Sequence, residues 1–461
     1  MIIYAALSPH PPLLIPEIGG KRIQDVAATV AGMQQMAREL VDSYPETVVF
    51  ITPHGNVFSD AFSALSEARL EGDFSNFGNH NKRTSCQNDN ELLQEIERRA
   101  SSANINFVLL DKETALYNQL NPGLDHGIMV PLYYLQEAGL SNVKVVAISV
   151  AFMSLLELFS FGTLIRDAAK ALGRRVAIVA SGDMSYRLKD EGPYDYHPDG
   201  QQFDTQVEKL LAAGDVQSFL NMPEELRENA GECGYRSLVM MFGALDGRKL
   251  TSRIFSYEGP FGVGYMTAGF LPGEESKSLM EELQQKRRDK IEASRKNESI
   301  PVRWARMILE NYTRNRKIPP LPPEMEELRR QKAGAFVSLK KNGQLRGCIG
   351  TTSAVYSDMA QEIAVAIAFI LATAIAPHED RHFRATQSRQ VGGPVDGVMW
   401  QARHLVGHEH TVGPGTAIDG LRGANRSRKQ HSHGAGKQDP GATPHCRLAG
   451  FHVTRQPLRA P

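Results

Sequence analysis

MIIYAALSPHPP at residues 1–12 and VVFITPHG at residues 48–55 decide the fold class of this chain. Each is an apolar run typical of a buried strand, followed at once by a histidine flanked by proline, His10 in the first and His54 in the second. The carboxyl ends of parallel strands share one edge of a sheet, where α/β proteins build their sites. Two imidazoles at that edge can bind a divalent metal such as zinc, iron or copper. The alternative is that both are loop histidines beside helix-starting prolines.

The rest of the first 273 residues alternates strand-like and helical patterns. Residues 145–150 and 176–180 are nearly continuous apolar runs rich in valine and isoleucine, as in strands buried on both faces. Residues 155–172 between them have helical periodicity. This βαβ pattern predicts an α/β domain over residues 1–273, with a central, mostly parallel sheet flanked by helices.

A second, smaller domain is predicted after a charged linker at residues 274–299. Residues 301–312 form an amphipathic helical pattern, and two β runs on either side of Asn342-Gly343 predict a hairpin, because these residues tolerate the positive φ of primed turns. A helical stretch at about residues 357–376 is expected to cover that hairpin. We therefore predict an α+β domain over residues 300–383.

Residues 384–461 differ in composition from the rest of the chain. Half of the fourteen histidines lie beyond residue 400, acidic residues are rare, and Gly, Arg, His, Gln and Ser dominate. Such a sequence cannot bury enough apolar surface to offset its ordering entropy, so a tail of low order is predicted. Three explanations stay open: a disordered basic tail, a tail that binds metal or nucleic acid, and translation in a shifted frame.

The bulk properties narrow the functional class. A chain of 461 residues is expected to have two or three domains. A net charge of +0 gives no electrostatic reason to expect nucleic acid or a membrane as partner. The four cysteines lie far apart without a CxxC spacing, which argues against a disulfide framework or a zinc ribbon. The longest apolar run, residues 363–376, is shorter than the ~20 residues of a membrane span. With no signal-peptide pattern at its start, the sequence predicts a cytoplasmic protein, and its oligomeric state stays open.

Further segments are expected at the same edge of the sheet as the two histidines. DHG places His126 at a helix entrance, and SGDMSY follows a predicted strand and ends at Tyr186. GEC, which contains Glu232 and Cys233, starts another helix. The glycine-rich string SYEGPFGVGY at residues 256–265 allows a ligand to approach closely.

With these motifs, residues 1–270 resemble the class III extradiol ring-cleavage dioxygenases of the LigB type, a superfamily that includes the MEMO proteins. LRGCIG at residues 345–350, with the hairpin before it, resembles the AMMECR domain over about residues 300–380. The resemblance implies a LigB/MEMO-like metal domain fused to a partial AMMECR-like domain. It also implies a setting, because such fusions occur in prokaryotic systems that carry a radical-SAM protein as a partner.

The resemblance assigns roles to individual residues. It implies that His10 and His54 bind a non-haem Fe(II), with zinc or copper as alternatives. The third ligand would be a carboxylate, Glu232, or Cys233 as in MEMO-type members. His126 matches a histidine that orients substrate or dioxygen, although it is also open to a purely structural role at a helix entrance. The implied activity is that of an Fe(II)-dependent oxidoreductase acting on a catechol-like or related small molecule.

Tyr186 departs from the family pattern, because ring-cleaving relatives and MEMO have histidine at that position. A phenol titrates near pH 10 and is a poor base at neutral pH, although it can donate a hydrogen bond. The alternative function is therefore a MEMO/AMMECR-type metal-binding protein without ring-cleaving activity that works with a radical-SAM partner. Zinc-dependent hydrolysis is a third alternative, because histidine-rich sites also bind zinc.

Overall fold

The computed structural model describes residues 1–341 and 344–375. The predicted tail at residues 384–461 lies outside them and stays a prediction. The chain divides into one unit over Met1–Ile291 and a second that begins at Glu292, whereas the finer boundaries at residues 273 and 299 stay predictions. In the described part of the chain, no helix combines the length and apolar character needed to cross a membrane.

The first unit alternates strands and helices along most of its length. The strands are β1 (Ile2–Ser8), β2 (Thr47–Thr52), β3 (Phe62–Leu65), β4 (Arg69–Phe74), β5 (Asn79–Gln87), β6 (Phe107–Leu110), β7 (Lys144–Ser149), β8 (Val176–Ser181), β9 (Arg248–Glu258) and β10 (Tyr265–Glu275). The helices are α1 (Pro16–Gly19), α2 (Ala27–Asp42), α3 (Asn90–Ser102), α4 (Lys112–Tyr117), α5 (His126–Glu137), α6 (Leu155–Ala171), α7 (Pro198–Ala213), α8 (Val216–Leu220), α9 (Glu224–Ala230), α10 (Tyr235–Ala244) and α11 (Met280–Lys296).

Eight strands form one sheet in the order β6-β3-β7-β2-β8-β1-β10-β9, and β4 pairs with β5 in a separate hairpin. The central strands β7, β2, β8 and β1 are parallel, while β3 and β10 pair antiparallel to this group. Ala180 of β8 pairs with Leu7 of β1 on one side and with Ile51 of β2 on the other. The three strands therefore end at one level, which confirms the predicted α/β fold with a mostly parallel sheet.

Both faces of the sheet are buried. In β2, Val49 and Ile51 belong to one hydrophobic cluster, and Val48 and Phe50 belong to another on the opposite face. Helices α3, α6 and α10 contribute to the first cluster, and helices α2 and α5 to the second. Burial of each such apolar side chain contributes about 1.5–3 kcal/mol to the stability of the fold. Because helices cover both faces of the sheet, these strands are apolar on both sides.

The second unit contains α12 (Ile300–Asn315), α13 (Glu327–Arg330), β11 (Phe336–Lys341), β12 (Gln344–Gly350) and α14 (Met359–Ile375). Strands β11 and β12 pair antiparallel, which confirms the predicted hairpin. Helices α12 and α14 contribute Trp304, Ile308, Ile363 and Ile367 to its core. The Trp304 indole N–H donates to the Ala360 carbonyl at 3.0 Å, which satisfies the polar atom of that buried ring.

Candidate metal centre

Three histidines lie together at the carboxyl ends of the central strands. His10 follows β1 by two residues, His54 follows β2 by two residues, and His126 is the first residue of α5. Their ring centroids are 4.5 Å (His10–His54), 5.3 Å (His10–His126) and 4.3 Å (His54–His126) apart. Nε2 of His10 is 2.8 Å from Nε2 of His54, so both imidazoles direct the same nitrogen towards one point.

Hydrogen bonds between the loops hold these histidines in place. The Thr52 hydroxyl, at the end of β2, donates to the Asp125 carboxylate at 2.7 Å and accepts from the His54 N–H at 3.1 Å. Asp125 is the N-cap of α5 and accepts from the Gly127 N–H at 2.8 Å. The segment of His54 and the segment of His126 are therefore tied together through one carboxylate.

A hydrogen-bond chain fixes the tautomer of His10. The Ser181 hydroxyl donates its one proton to the Gly127 carbonyl at 2.5 Å, so it can only accept from His10 Nδ1, which is 2.8 Å away. Nδ1 therefore carries the hydrogen, and Nε2 directs a lone pair into the site. A second hydrogen bond that orients a ligating imidazole in this way is typical of metal sites.

Asp183 and Cys233 lie on the other side of His10. Asp183 accepts from the His10 backbone N–H at 3.1 Å, and its second carboxylate oxygen is 3.7 Å from His10 Nε2. Cys233 Sγ is also 3.7 Å from Nε2 and accepts from the Asp183 N–H at 3.2 Å. Two sets of ligand atoms within 4.8 Å of one another result among the described residues: His10, His54 and His126, and His10, Asp183 and Cys233.

Burial controls the charge of these groups. It lowers the pKa of His10 to about 3, and burial, with the neighbouring His10, lowers the pKa of His54 to about 3. Burial likewise lowers the pKa of His126, raises the pKa of Asp183 to about 6 and raises the pKa of the Cys233 thiol. The imidazoles are therefore neutral at pH 7 and have lone pairs to give to a metal.

The residues present fit a divalent transition metal. Imidazole nitrogen, carboxylate oxygen and thiol sulfur are the ligand types of zinc, iron and copper sites, and an unprotonated Nε2 of His10 faces the shared point. A cation bound here would offset the burial that disfavours the ionised carboxylate and thiolate. The donor set does not distinguish iron from zinc or copper.

A family model described as the catalytic LigB subunit of aromatic ring-opening dioxygenase matches residues 4–268. This chain belongs to the LigB family. A second model, AMMECR1, matches residues 302–389, so the LigB domain is followed by an AMMECR1 domain. The resemblance inferred from the sequence motifs is confirmed for both parts of the chain.

Relatives of this LigB-family chain differ in how much of it they match. Protein CA_C1420 of Clostridium acetobutylicum is 35% identical over 359 residues, 77% of this chain and 76% of the relative. The 3,4-dihydroxyphenylacetate 2,3-dioxygenase of Escherichia coli is 32% identical over 143 residues, 29% of this chain and 51% of that enzyme. The crystal structure of the uncharacterized protein JW3007 of Escherichia coli K12 aligns with a TM-score of 0.40 at 18% identity, over 58% of this chain and 99% of that one.

The structure does not bring Glu232 to the point of the LigB domain that His10 Nε2 and His54 Nε2 face. Its carboxylate accepts from the Tyr235 N–H at 2.6 Å and so turns back onto the start of α10. Among the described residues, it is absent from both ligand sets, whereas the adjacent Cys233 belongs to one. Cys233, the alternative to Glu232 as third ligand, and Asp183 are therefore the neighbours of His10 in this geometry, and metal binding by Glu232, Cys233 or Asp183 stays a prediction.

Tyr186 lies within the site, as its position after β8 predicts. Its hydroxyl donates to Asp183 at 2.9 Å and is 3.5 Å from Cys233 Sγ, and its ring packs edge-on against Tyr194. His126 stacks on His54 and contacts the edge of the Phe77 ring, with centroids 5.2 Å apart. The catalytic roles predicted for Tyr186 and His126 stay predictions.

The sequence patterns did not single out Asp183, which lies in the string SGDMSY after β8. The missed signal is a shared offset. His10, His54 and Asp183 each stand two residues after the end of a central strand, β1, β2 and β8 respectively. Adjacent parallel strands that end at one level bring residues of equal offset together.

A buried carboxylate on α7 holds the loop that carries Asp183 and Tyr186. Asp204 accepts from the Ser185 N–H at 2.8 Å and from the Tyr257 hydroxyl at 2.7 Å. The Gly264 carbonyl accepts from the Met184 N–H, and the Gly264 N–H donates to the Ser185 carbonyl, both at 2.8 Å. The loop after β8 is therefore fixed from two sides.

Proposed function

We propose that the LigB domain is a non-haem Fe(II)-dependent oxidoreductase of the extradiol type that acts on a catechol-like small molecule. The observation that carries this proposal is the 2.8 Å approach of His10 Nε2 and His54 Nε2, with the His10 tautomer set by Ser181. The partial similarity to 3,4-dihydroxyphenylacetate 2,3-dioxygenase supports it. When bound, Fe(II) supplies open coordination positions for a catecholate and dioxygen and passes charge between them.

The surrounding residues bind substrate and move its proton in this proposal. His126, neutral and stacked on His54, presents an imidazole nitrogen that orients a substrate hydroxyl or dioxygen. Tyr186 and Asp183 form the path for the phenolic proton, because the Tyr186 hydroxyl donates to Asp183 at 2.9 Å. A proton accepted by the Tyr186 oxygen is matched by one passed on to Asp183.

Metal analysis of the anaerobically purified protein tests this proposal. We expect equimolar iron in the wild type, its loss in His10→Ala and in His54→Ala, and dioxygen uptake with catechols such as 3,4-dihydroxyphenylacetate. His80→Ala, which removes an exposed histidine from β5, is the matched control and should keep its iron. Absence of bound metal from wild type and His10→Ala alike would refute the proposal, and bound zinc without dioxygen uptake would favour hydrolysis.

A second candidate function rests on Tyr186 and Cys233. Cys233 is 3.7 Å from His10 Nε2 and Tyr186 contacts Cys233, whereas the resemblance to ring-cleaving enzymes leads one to expect a carboxylate ligand and a histidine base at these positions. This favours a MEMO/AMMECR-type metal-binding protein without ring cleavage, working in the cytoplasm with a radical-SAM partner. Iron binding without dioxygen uptake, together with ring cleavage gained by Tyr186→His, is the result expected for this alternative. Cleavage of a catechol ring by the wild-type protein would exclude this alternative.

A further inference from the structure

A phenol and a thiol share one wall of the candidate metal centre. Tyr186 Oη is 3.5 Å from Cys233 Sγ, and the same sulfur is 3.7 Å from His10 Nε2. The phenol also donates to the Asp183 carboxylate at 2.9 Å. Two oxidisable side chains therefore touch each other beside the ligands, with a proton acceptor already hydrogen-bonded to one of them.

Hydrogen bonds to the loop after β8 hold the Tyr186 and Cys233 side chains next to each other. The loop of Tyr186 is fixed by Asp204 and Gly264, as described above. Cys233 stands just before α10, and its backbone N–H donates to the Asp183 carbonyl at 3.4 Å while its sulfur accepts from the Asp183 N–H. The contact joins residues 47 positions apart in the chain, so it depends on the tertiary structure.

We propose that Tyr186 and Cys233 become joined by a thioether bond between Sγ and the ring carbon ortho to the phenolic oxygen. The inference rests on the proposed function, because it requires iron at this centre and dioxygen as the oxidant. The S–H bond and the ortho C–H bond break, one S–C bond forms, and two electrons and two protons leave the pair. Dioxygen takes up both and is reduced to hydrogen peroxide, one molecule for each bond formed.

The geometry favours this product over the ordinary oxidation of a cysteine. Cys233 Sγ is 3.5 Å from the phenolic oxygen of Tyr186, and the ortho carbons of that ring are two bonds from this oxygen. Asp183 accepts the hydrogen bond of the phenol. The remaining described cysteines, Cys86 on β5 and Cys348 on β12, belong to other elements. The thioether would remove the Cys233 thiolate as a ligand, leaving His10, His54 and Asp183 as the donors on that side.

Mass spectrometry of the full chain tests the inference. Protein purified anaerobically is loaded with Fe(II), its iron is quantified, and one half is exposed to air before digestion with trypsin. Tyr186 falls in the peptide of residues 176–187 and Cys233 in that of residues 228–236. We expect these two peptides to appear linked, at a summed mass lower by two hydrogen atoms, only in the half that received iron and air.

Three variants sharpen the measurement. Tyr186→Phe and Cys233→Ser should both abolish the linked peptide, and Cys86→Ser should leave it unchanged. Tyr186→Phe also keeps the ring and tests whether the hydroxyl is needed, while iron content shows that the centre is intact.

The outcomes separate the two proposals. Iron bound, air supplied and both peptides recovered unlinked would overturn the thioether and leave the proposed function standing. An oxygen atom gained on residues 228–236 would overturn it in favour of a sulfenic acid. Failure to bind iron together with unlinked peptides would overturn both.

Discussion

One hydroxyl proton determines which nitrogen of His10 faces the candidate metal centre. Ser181 Oγ gives that proton to the Gly127 carbonyl and so accepts from His10 Nδ1, leaving a lone pair on Nε2. Without this acceptor the imidazole could place its hydrogen on Nε2, where it would oppose metal binding. The hydrogen bond from His10 Nδ1 to Ser181 therefore contributes to the metal affinity of the site, although Ser181 is not a ligand.

Ser181→Ala should weaken metal binding while the protein stays folded. The loss of the Nδ1 acceptor is expected to lower iron or zinc affinity about 10–100-fold. Competition with a chromophoric chelator measures the affinity. Ser43→Ala removes a comparable hydroxyl that donates to the Leu40 carbonyl at 2.6 Å at the end of α2, and its affinity should equal that of wild type. Equal affinities for Ser181→Ala and wild type would contradict the tautomer assignment.

The sequence predicts these site residues unevenly. His10 and His54 could be found because each follows an apolar run that has to be a buried strand. Glu232 and Cys233 could not be told apart, because neighbours at a helix start point in directions set by local contacts. Here the Tyr235 N–H draws the Glu232 carboxylate back onto the helix and leaves the sulfur towards His10.

At the scale of elements, Asp204 connects α7 to the loop after β8. Its carboxylate is buried, and burial raises its pKa to about 7, although the hydrogen bonds from Tyr257 and Ser185 act in the opposite direction. Between about pH 4 and pH 7, Asp204 therefore keeps its proton in the folded protein, whereas the same carboxyl of the unfolded chain has already released it. Stability from this group is present at low pH and falls as the pH rises from about 4 to about 7.

Asp204→Asn should flatten that pH dependence. The variant loses one of two accepted hydrogen bonds and is expected to be less stable than wild type by about 1 kcal/mol at pH 4. Because an amide does not titrate, the difference should shrink or reverse by pH 7. Urea unfolding across this pH range measures it, and a constant difference between variant and wild type would contradict the pKa assigned to Asp204.

Helices α6 and α10 meet at glycines. A Cβ on Gly243 would lie 2.0 Å from the Phe159 carbonyl oxygen, and one on Gly162 would lie 2.0 Å from the Met240 carbonyl oxygen. Both oxygens belong to the backbone, so neither can rotate away as a flexible side chain could. Gly243→Ala should therefore lower the free energy of unfolding by about 1–3 kcal/mol, measured by thermal or urea unfolding. Lys170→Ala, on an exposed position of α6, serves as control, and equal stability of both variants would show that the helices can separate without cost.

Sheet membership was only partly predictable from the strand patterns. The central strands β1, β2, β7 and β8 are almost wholly buried, so their apolar runs identify them and their parallel arrangement. The hairpin of β4 and β5 gives no such signal, because β5 (NHNKRTSCQ) is polar at every position except Cys86. Strand pairing depends on partners distant in sequence, and periodicity alone carries no information about them.

At the scale of the whole molecule, the first unit makes contacts beyond residue 273, where the sequence predicts the end of the LigB domain. Asp246 accepts from the Ser278 hydroxyl at 2.5 Å and from the Leu279 N–H at 2.8 Å, which fixes the approach to α11. Leu283 of α11 is buried in the hydrophobic cluster of the first unit. The charged composition of residues 274–299 hides this contact, because only a few apolar residues, Leu279, Met280 and Leu283, provide it among the charged ones.

Two fragments of the LigB unit distinguish these boundaries. A fragment of residues 1–291 should fold and bind iron as the full chain does, since this unit has its own core. A fragment of residues 1–273 loses the burial of Leu283 and two hydrogen bonds to Asp246, so it should be less stable by about 2–4 kcal/mol. Urea unfolding of the two fragments gives this difference, and Leu283→Ala in the longer fragment should reproduce part of it. Equal stabilities would place the boundary at residue 273, because α11 would then contribute nothing to the first unit.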